Sequence, residues 1–153
     1  MVKIVNIVAS QRMADSIDIN DVAESLDIDY EQEQFPGMVY RTDEPKVCVL
    51  LFRSGKAVAT GAKSVDDIDF AFNKLREDLI ENDFELWDED SCQVILHNIV
   101  VTSDISHIVD NQKINLSRLM MSLPFDRTEY EPEQFPGLIY RMPNPKVVYL
   151  LFS

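Results

Sequence analysis

Apolar residues fill both faces of the segment Val47–Phe52. Cys48, Leu50 and Phe52 alternate with Val47, Val49 and Leu51, a pattern that predicts a strand able to bury either side. Val5–Ala9 alternates differently, with Val5, Ile7 and Ala9 on one face and Asn6 and Val8 on the other. After Ser64 the period changes from two to that of a helix. Ile68, Phe72, Leu75 and Leu79 share one face, so a helix capped by Ser64 is predicted through about Ile80, with acids on its opposite face. Shorter helical spacing follows the polar starts Asp18 and Asn115, giving helices at about Ile19–Leu26 and Ile114–Leu123. Phe35-Pro36-Gly37 and Glu44-Pro45 punctuate the strands between them. Ser54-Gly55 reads as the hairpin turn joining Val47–Phe52 to Lys56–Gly61. The chain is therefore expected to be α+β.

The pattern occurs twice. Residues 30–52, YEQEQFPGMVYRTDEPKVCVLLF, return as residues 130–152, YEPEQFPGLIYRMPNPKVVYLLF, with fifteen of twenty-three positions identical at a constant offset of 100. Upstream, VNIVAS at 5–10 is echoed by HNIVVTS at 97–103, aligning Asn6 with Asn98 and Val8 with Val100. An internal repeat of this kind predicts two copies of one supersecondary unit. Residues 1–92 form the first copy with its acidic helix and linker, and 93–153 form the second. The first copy continues past Phe52 into RSGKAVATGAKS and the acidic helix, whereas the second reaches only Phe152-Ser153. The second copy is thus expected to lack its last strand and its long helix.

Composition and charge narrow the function. At 153 residues, 46% hydrophobic and 27% charged, the chain has the makings of a folded core. No apolar run approaches the roughly 20 residues of a membrane span, so no membrane partner is expected and a cytoplasmic protein is the default. Cys48 and Cys92 stand in no CxxC or Cys/His metal spacing. They are expected as two reduced thiols, with no metal site. The net charge of −13 opposes nucleic-acid binding at first sight. Its distribution reverses that reading. Ser64–Asp90 carries eleven acids against two bases, while Phe35–Lys63 carries five bases against two acids, and Gln134–Ser153 holds only Arg141 and Lys146 as charged residues. An acidic protein can still present one neutral-to-basic surface.

The helices predicted per repeat suffice to cover one face of the sheet, leaving a second apolar face open to a partner. On that face Asn6 joins Val8, and in the second copy Asn98 and Val100 join Leu96 and Thr102. A mostly apolar surface carrying a few amide donors suits the minor groove of A·T-rich DNA, whose floor offers hydrogen-bond acceptors and few charges.

NIVAS, EQFPGMVYR, EPKVCVLLF and RSGKAVATGAKS, then NIVVTS, YEPEQFPGLIYR and NPKVVYLLF, resemble the TATA-box-binding protein family in its archaeal form, over essentially the whole chain. The resemblance implies a saddle of two pseudo-symmetric halves, with a curved antiparallel sheet on the minor groove and helices on the convex side. It implies no enzymatic activity and no cofactor, double-stranded promoter DNA bearing a TATA element as partner, transcription factor B as a second partner, and RNA polymerase machinery indirectly. A nucleoid-associated place in an archaeal cytoplasm follows. By motif position, Phe35 and Phe52 in the first half and Phe135 and Phe152 in the second resemble the wedges that kink the duplex. Unstacking by such wedges is offset by fuller contact with bent DNA. Asn6 and Asn98 match the paired asparagines near the centre of the site. Val8, Val39, Leu50, Val58, Thr60, Val100, Ile139 and Leu150 match the groove floor. Arg41, Lys46, Lys56, Lys63, Arg141 and Lys146 match the rim cations that meet phosphates. Glu131 and Glu133 match the stirrup acids that contact transcription factor B, with Glu31 and Glu33 as first-half counterparts.

Two other function classes compete with this one. An enzyme needs a constellation, but His97 falls on the core face of a strand, His107 in a loop, and neither adjoins a nucleophile; no Walker loop, GxGxxG or HExxH occurs. A shortened relative that keeps the convex and stirrup surfaces and binds protein partners without stably bending DNA, or an inactive fragment, is the alternative reading.

Overall fold

The computed structural model describes residues 1–153 as two compact units, Met1–Ser103 and Asp104–Ser153. In the first, β1 (Val2–Arg12) is followed by α1 (Ile19–Ser25), β2 (Met38–Arg41), β3 (Cys48–Leu51), β4 (Lys56–Ala62), α2 (Val65–Glu81) and β5 (Val94–Ser103). The five strands form one antiparallel sheet in the order β2-β3-β4-β1-β5. β5 belongs to the second copy by sequence, yet its hydrogen bonds run to β1, which is why it groups with the first unit.

Local chemistry sets the helix ends. The Asp18 side chain accepts from the backbone N–H groups of Asn20 and Asp21 at the start of α1. Ser64 Oγ accepts from Asp67 N–H at 3.1 Å, and Asp67 reaches back to accept from Lys63 N–H at 3.2 Å. These bonds satisfy donors that a helix start leaves free, and Asp66 and Asp67 complement the helix dipole. At the far end Asp83 takes a left-handed conformation, φ 64°, and the chain turns away.

Ile68, Ala71, Phe72, Leu75 and Leu79 of α2 pack with Ile19 and Val22 of α1 on Ile7, Ala9, Val49, Leu51, Ala57 and Ala59 of the sheet. The two-faced pattern of β3 resolves as expected: Val47, Val49 and Leu51 are buried beneath the helices, while Cys48 and Leu50 are half-buried on the other side. Arg76 is a departure from the simple apolar stripe. It lies buried on the same side of α2 and donates through Nη1 to the Trp87 carbonyl and through Nη2 to Cys92 Sγ, both at 2.7 Å. A charged residue thereby fastens the acidic connection to the core.

Tyr40 of β2 donates to Asp78 Oδ2 of α2 at 2.5 Å, and Lys74 Nζ meets Asp78 Oδ1 at 2.9 Å. Burial, then the bond to Asp78, pushes the Tyr40 hydroxyl well above its usual range. Burial acts to raise Asp78 as well, but the hydrogen bonds from Tyr40 and Lys74 and the Lys74 charge outweigh it and hold the carboxyl below the usual carboxylate range. A depressed carboxyl contributes stability above its unfolded value that is lost as pH falls through the folded one. Tyr40→Phe is expected to cost about 1–2 kcal/mol near neutral pH, and the gap to the native chain should narrow as the medium is acidified below the ordinary carboxylate range. Urea unfolding of both proteins across that range checks this; a gap independent of pH would show that Asp78 does not carry the interaction.

The second unit contains α3 (Leu116–Ser122), β6 (Thr128–Glu129), β7 (Leu138–Pro143) and β8 (Lys146–Leu151), with sheet order β6-β7-β8. Asn115 caps α3 by accepting from Arg118 N–H at 3.0 Å. The repeat extends to register. Met38 opposes Leu51 and Tyr40 opposes Val49; at the same offset of 100, Leu138 opposes Leu151 and Tyr140 opposes Tyr149. The core of this unit is small, with Leu116 and Leu138 as its buried apolar side chains. β8 is largely exposed on both faces, through Val148 and Leu150 on one and Val147 and Tyr149 on the other.

Two face assignments need correction. The register of β1 against β5 shifts between Val8 and Ala9: Val8 opposes Asn98, but Ala9 opposes Leu96. His97 is the inserted residue, so period two breaks and Leu96 lies opposite the core-facing Ala9 rather than with Asn98. His97 itself is exposed, not on a buried core face, and its Nε2 lies 2.6 Å from Ser10 Oγ.

Candidate nucleic-acid interface

In the first unit, cross-strand pairing brings the expected floor residues onto the sheet face that the helices leave bare. Val39 opposes Leu50, Leu50 opposes Val58, and Cys48 opposes Thr60. Across β1 and β5, Asn6 opposes Val100 and Val8 opposes Asn98. Asn6, Val8, Val39, Leu50, Val58 and Thr60 are half-buried, while Asn98 and Val100 are exposed. No acid is among them. In the second unit Ile139 opposes Leu150 on the corresponding face.

At the end of β3 the rings of Phe35 and Phe52 meet edge to face with centroids 6.1 Å apart. Phe135 and Phe152 repeat the arrangement at 5.8 Å. Both Phe35 and Phe152 remain about half exposed, at 43% and 53%, while their partners Phe52 and Phe135 are half-buried. The glycine of each FPG explains the geometry. A Cβ on Gly37 would stand 2.8 Å from Phe35 Cε1 and 3.0 Å from Phe52 Cε1; on Gly137 the distances are 2.8 Å from Phe135 and 2.9 Å from Phe152. Each glycine is the seat on which two rings rest. The duplicated FPG was the visible signal, but only the fold shows that Gly37 and Gly137 serve the partner ring as well.

The loops leading into these rings are alike. Glu31 O accepts from Gln34 and Phe35 N–H, and Glu131 O accepts from Gln134 and Phe135 N–H. Glu31, Glu33, Glu131 and Glu133 are exposed on these turns. Among the rim cations, Arg41, Lys46, Lys56, Lys63 and Lys146 are exposed and form no ion pair within the chain. Arg141 differs: its Nη1 lies 2.8 Å from Glu129 Oε2. With both partners exposed, that pair is a weak restraint of about 0–1 kcal/mol. No three His, Cys, Asp or Glu side chains are grouped as metal ligands, Cys48 and Cys92 are free thiols, and no helix is long and apolar enough to cross a membrane.

A sequence profile of the family described as "Transcription factor TFIID (or TATA-binding protein, TBP)" matches residues 1–81 and again 93–153. The chain belongs to this family. It is 45% identical over 153 residues to the TATA-box-binding protein of Thermoplasma acidophilum, covering 99% of this chain and 79% of that one. To the TATA-box-binding protein E of Halobacterium salinarum it is 44% identical over 157 residues, covering 99% and 78%. To the TATA-box-binding protein of Methanococcus aeolicus it is 48% identical over 153 residues, covering 99% and 79%. The solved structure of Methanococcus jannaschii TBP superposes with a TM-score of 0.81 at 42% identity, covering 99% of this chain and 82% of that one. The α+β fold of the TATA-binding proteins and their archaeal character are therefore those of this chain, and the family is one of transcription factors, not enzymes.

Proposed function

We propose that this protein is a transcription initiation factor that binds the minor groove of TATA promoter DNA, bends it, and presents Glu131 and Glu133 to transcription factor B, through which RNA polymerase is engaged. The observation that carries the reading is the pairing of an exposed with a half-buried phenylalanine, Phe35 with Phe52 and Phe152 with Phe135, each pair seated on a glycine, together with a first-unit sheet face whose floor residues include no acid, in a member of the TATA-binding protein family. Such rings suit insertion between base steps, and the half-exposed apolar floor with Asn6, Asn98 and Thr60 suits a groove that offers mainly acceptors. The strongly acidic composition does not oppose this. The buried side of α2 packs on the sheet, so Asp66, Asp69, Glu77 and Glu81, all exposed, lie on the helix away from the floor residues.

Gel shift on a TATA duplex against a scrambled one tests the reading directly; equal binding to both would instead favour a protein-binding relative. The cations give a second measure. Arg41→Ala or Lys146→Ala is expected to weaken binding to every sequence alike and to reduce the slope of log affinity against log salt by about one, since each lost phosphate contact leaves one fewer counterion to release. Replacing Glu131 and Glu133 by alanine should leave the DNA shift intact and abolish its further retardation by transcription factor B.

A further inference from the structure

The register of β1 against β4 slips between Ile7, which opposes Ala62, and Ala9, which opposes Ala59. Thr60 and Gly61 together therefore face Val8 alone, a β-bulge, and Gly61 adopts φ +90°, a conformation that favours glycine. A bulge removes a backbone donor from the ladder. Here the freed Gly61 N–H is taken up by a side chain from the neighbouring strand, donating to Asn6 Oδ1 at 2.7 Å. This is the only hydrogen bond of the Asn6 side chain. A backbone N–H can only donate, so the bond decides which end of the amide faces Gly61: Oδ1 is engaged there, and Nδ2H2 of this half-buried residue is left without a partner in the chain.

We propose that Gly61 N–H is a positioning group for sequence readout, locking Asn6 as a donor so that it accepts an A·T pair and rejects a G·C pair at the step it faces. This rests on the minor-groove reading above. Adenine N3 and thymine O2 are acceptors, whereas guanine adds an N2 amino donor. An unrestrained asparagine could turn over and offer Oδ1 to that amino group. Held by Gly61, the amide meets guanine donor to donor; turning over sets Nδ2H2 against Gly61 N–H instead. The discrimination thus comes from a backbone donor that touches no base.

The 153-residue chain with the Thr60–Gly61 amide replaced by an ester loses this donor, puts a weakly accepting oxygen in its place and leaves every side chain unchanged. Binding is measured on TATA duplexes in which each central A·T pair in turn becomes G·C, or inosine·C, which lacks the amino group. For the native chain, G·C at one central pair should weaken binding about tenfold or more while inosine·C does not. For the ester chain the penalty at that pair should fall to a few-fold, with the other pairs unchanged. An ester chain that keeps the native penalty at every pair overturns the lock. Hydrogen exchange of Gly61 N–H gives a readout without DNA: it should be slow in the native chain and in Asn6→Asp, and fast in Asn6→Ala, and fast exchange in the native chain overturns the proposal. Failure of the native chain to prefer any TATA duplex, with Gly61 protected, brings down the DNA reading and the readout role with it.

Discussion

Replacing Phe35 or Phe135 by alanine is expected to lower the bend of a TATA duplex and the affinity for it together. Prying apart a base step costs a few kcal/mol, and that cost is offset only by contacts that the kinked duplex makes with the sheet. Affinity and bend are therefore coupled through the ring. Removing Phe35 deletes the inserted surface and also the edge that supports Phe52 across 6.1 Å, and removing Phe135 does the same to Phe152 across 5.8 Å. A loss of about 2 kcal/mol per ring, roughly thirtyfold, is expected from the stacking of aromatic side chains on bases. Energy transfer between dyes at the two duplex ends, followed through a titration, reads both quantities at once. Lower affinity with an unchanged bend would make the rings contacts rather than wedges, and no change in either would remove them from the interface. Gly37→Ala keeps both rings but places a methyl group 2.8 Å from Phe35 Cε1, so it should reduce the bend less than loss of the ring does.

Much of this arrangement was legible in the chain because its signals are periodic. The offset of 100 between the copies carried over residue by residue into strand register, from Met38 opposite Leu51 to Leu138 opposite Leu151. Alternation in Val47–Phe52 identified two apolar faces, and the stripe of α2 showed which helix covers one of them. What escaped were single-residue insertions. The slip at His97 changes no composition and no motif, yet it moves Leu96 opposite Ala9; period-two reasoning fails wherever one strand gains a residue on its neighbour. Gly61 left a trace as a glycine inside a strand pattern, but the acceptor for its N–H lies 55 residues away on β1. Arg76 was hidden for another reason. A charged residue reads as part of the solvated side of a helix, and only the folded chain reveals the Trp87 carbonyl and Cys92 sulfur that satisfy its guanidinium when buried.

The second large effect is expected at Gly55. Its φ of +78° favours glycine, and a Cβ there would lie 2.2 Å from the Ala14 carbonyl oxygen and 2.7 Å from its carbon. Neither atom belongs to a flexible side chain. Two bonds hold the turn against the segment that follows β1, Met13 N–H donating to Gly55 O at 2.8 Å and Ile17 N–H to Arg53 O at 3.0 Å, and Gly55 N–H closes the turn on Phe52 O at 2.9 Å. Gly55→Ala must therefore strain the dihedral, at about 1–3 kcal/mol, and also part the turn from β1, for a combined loss of about 3 kcal/mol or more. Gly61→Ala supplies the contrast. Its φ of +90° carries a similar dihedral cost, but the nearest atom to the new Cβ is Lys46 O at 3.9 Å, so its loss should stay near 1–2 kcal/mol. Urea unfolding followed by the emission of Trp87, whose backbone N–H donates to Met13 O at 2.7 Å beside this turn, measures both variants; equal losses would mean that the close approach to Ala14 is relieved at no cost. Because Gly55 N–H also holds the Phe52 carbonyl, a turn that opens carries Phe52, the proposed wedge, with it. At temperatures where Gly55→Ala is still folded, its DNA bend should already be reduced, while that of the Phe135 and Phe152 end is retained.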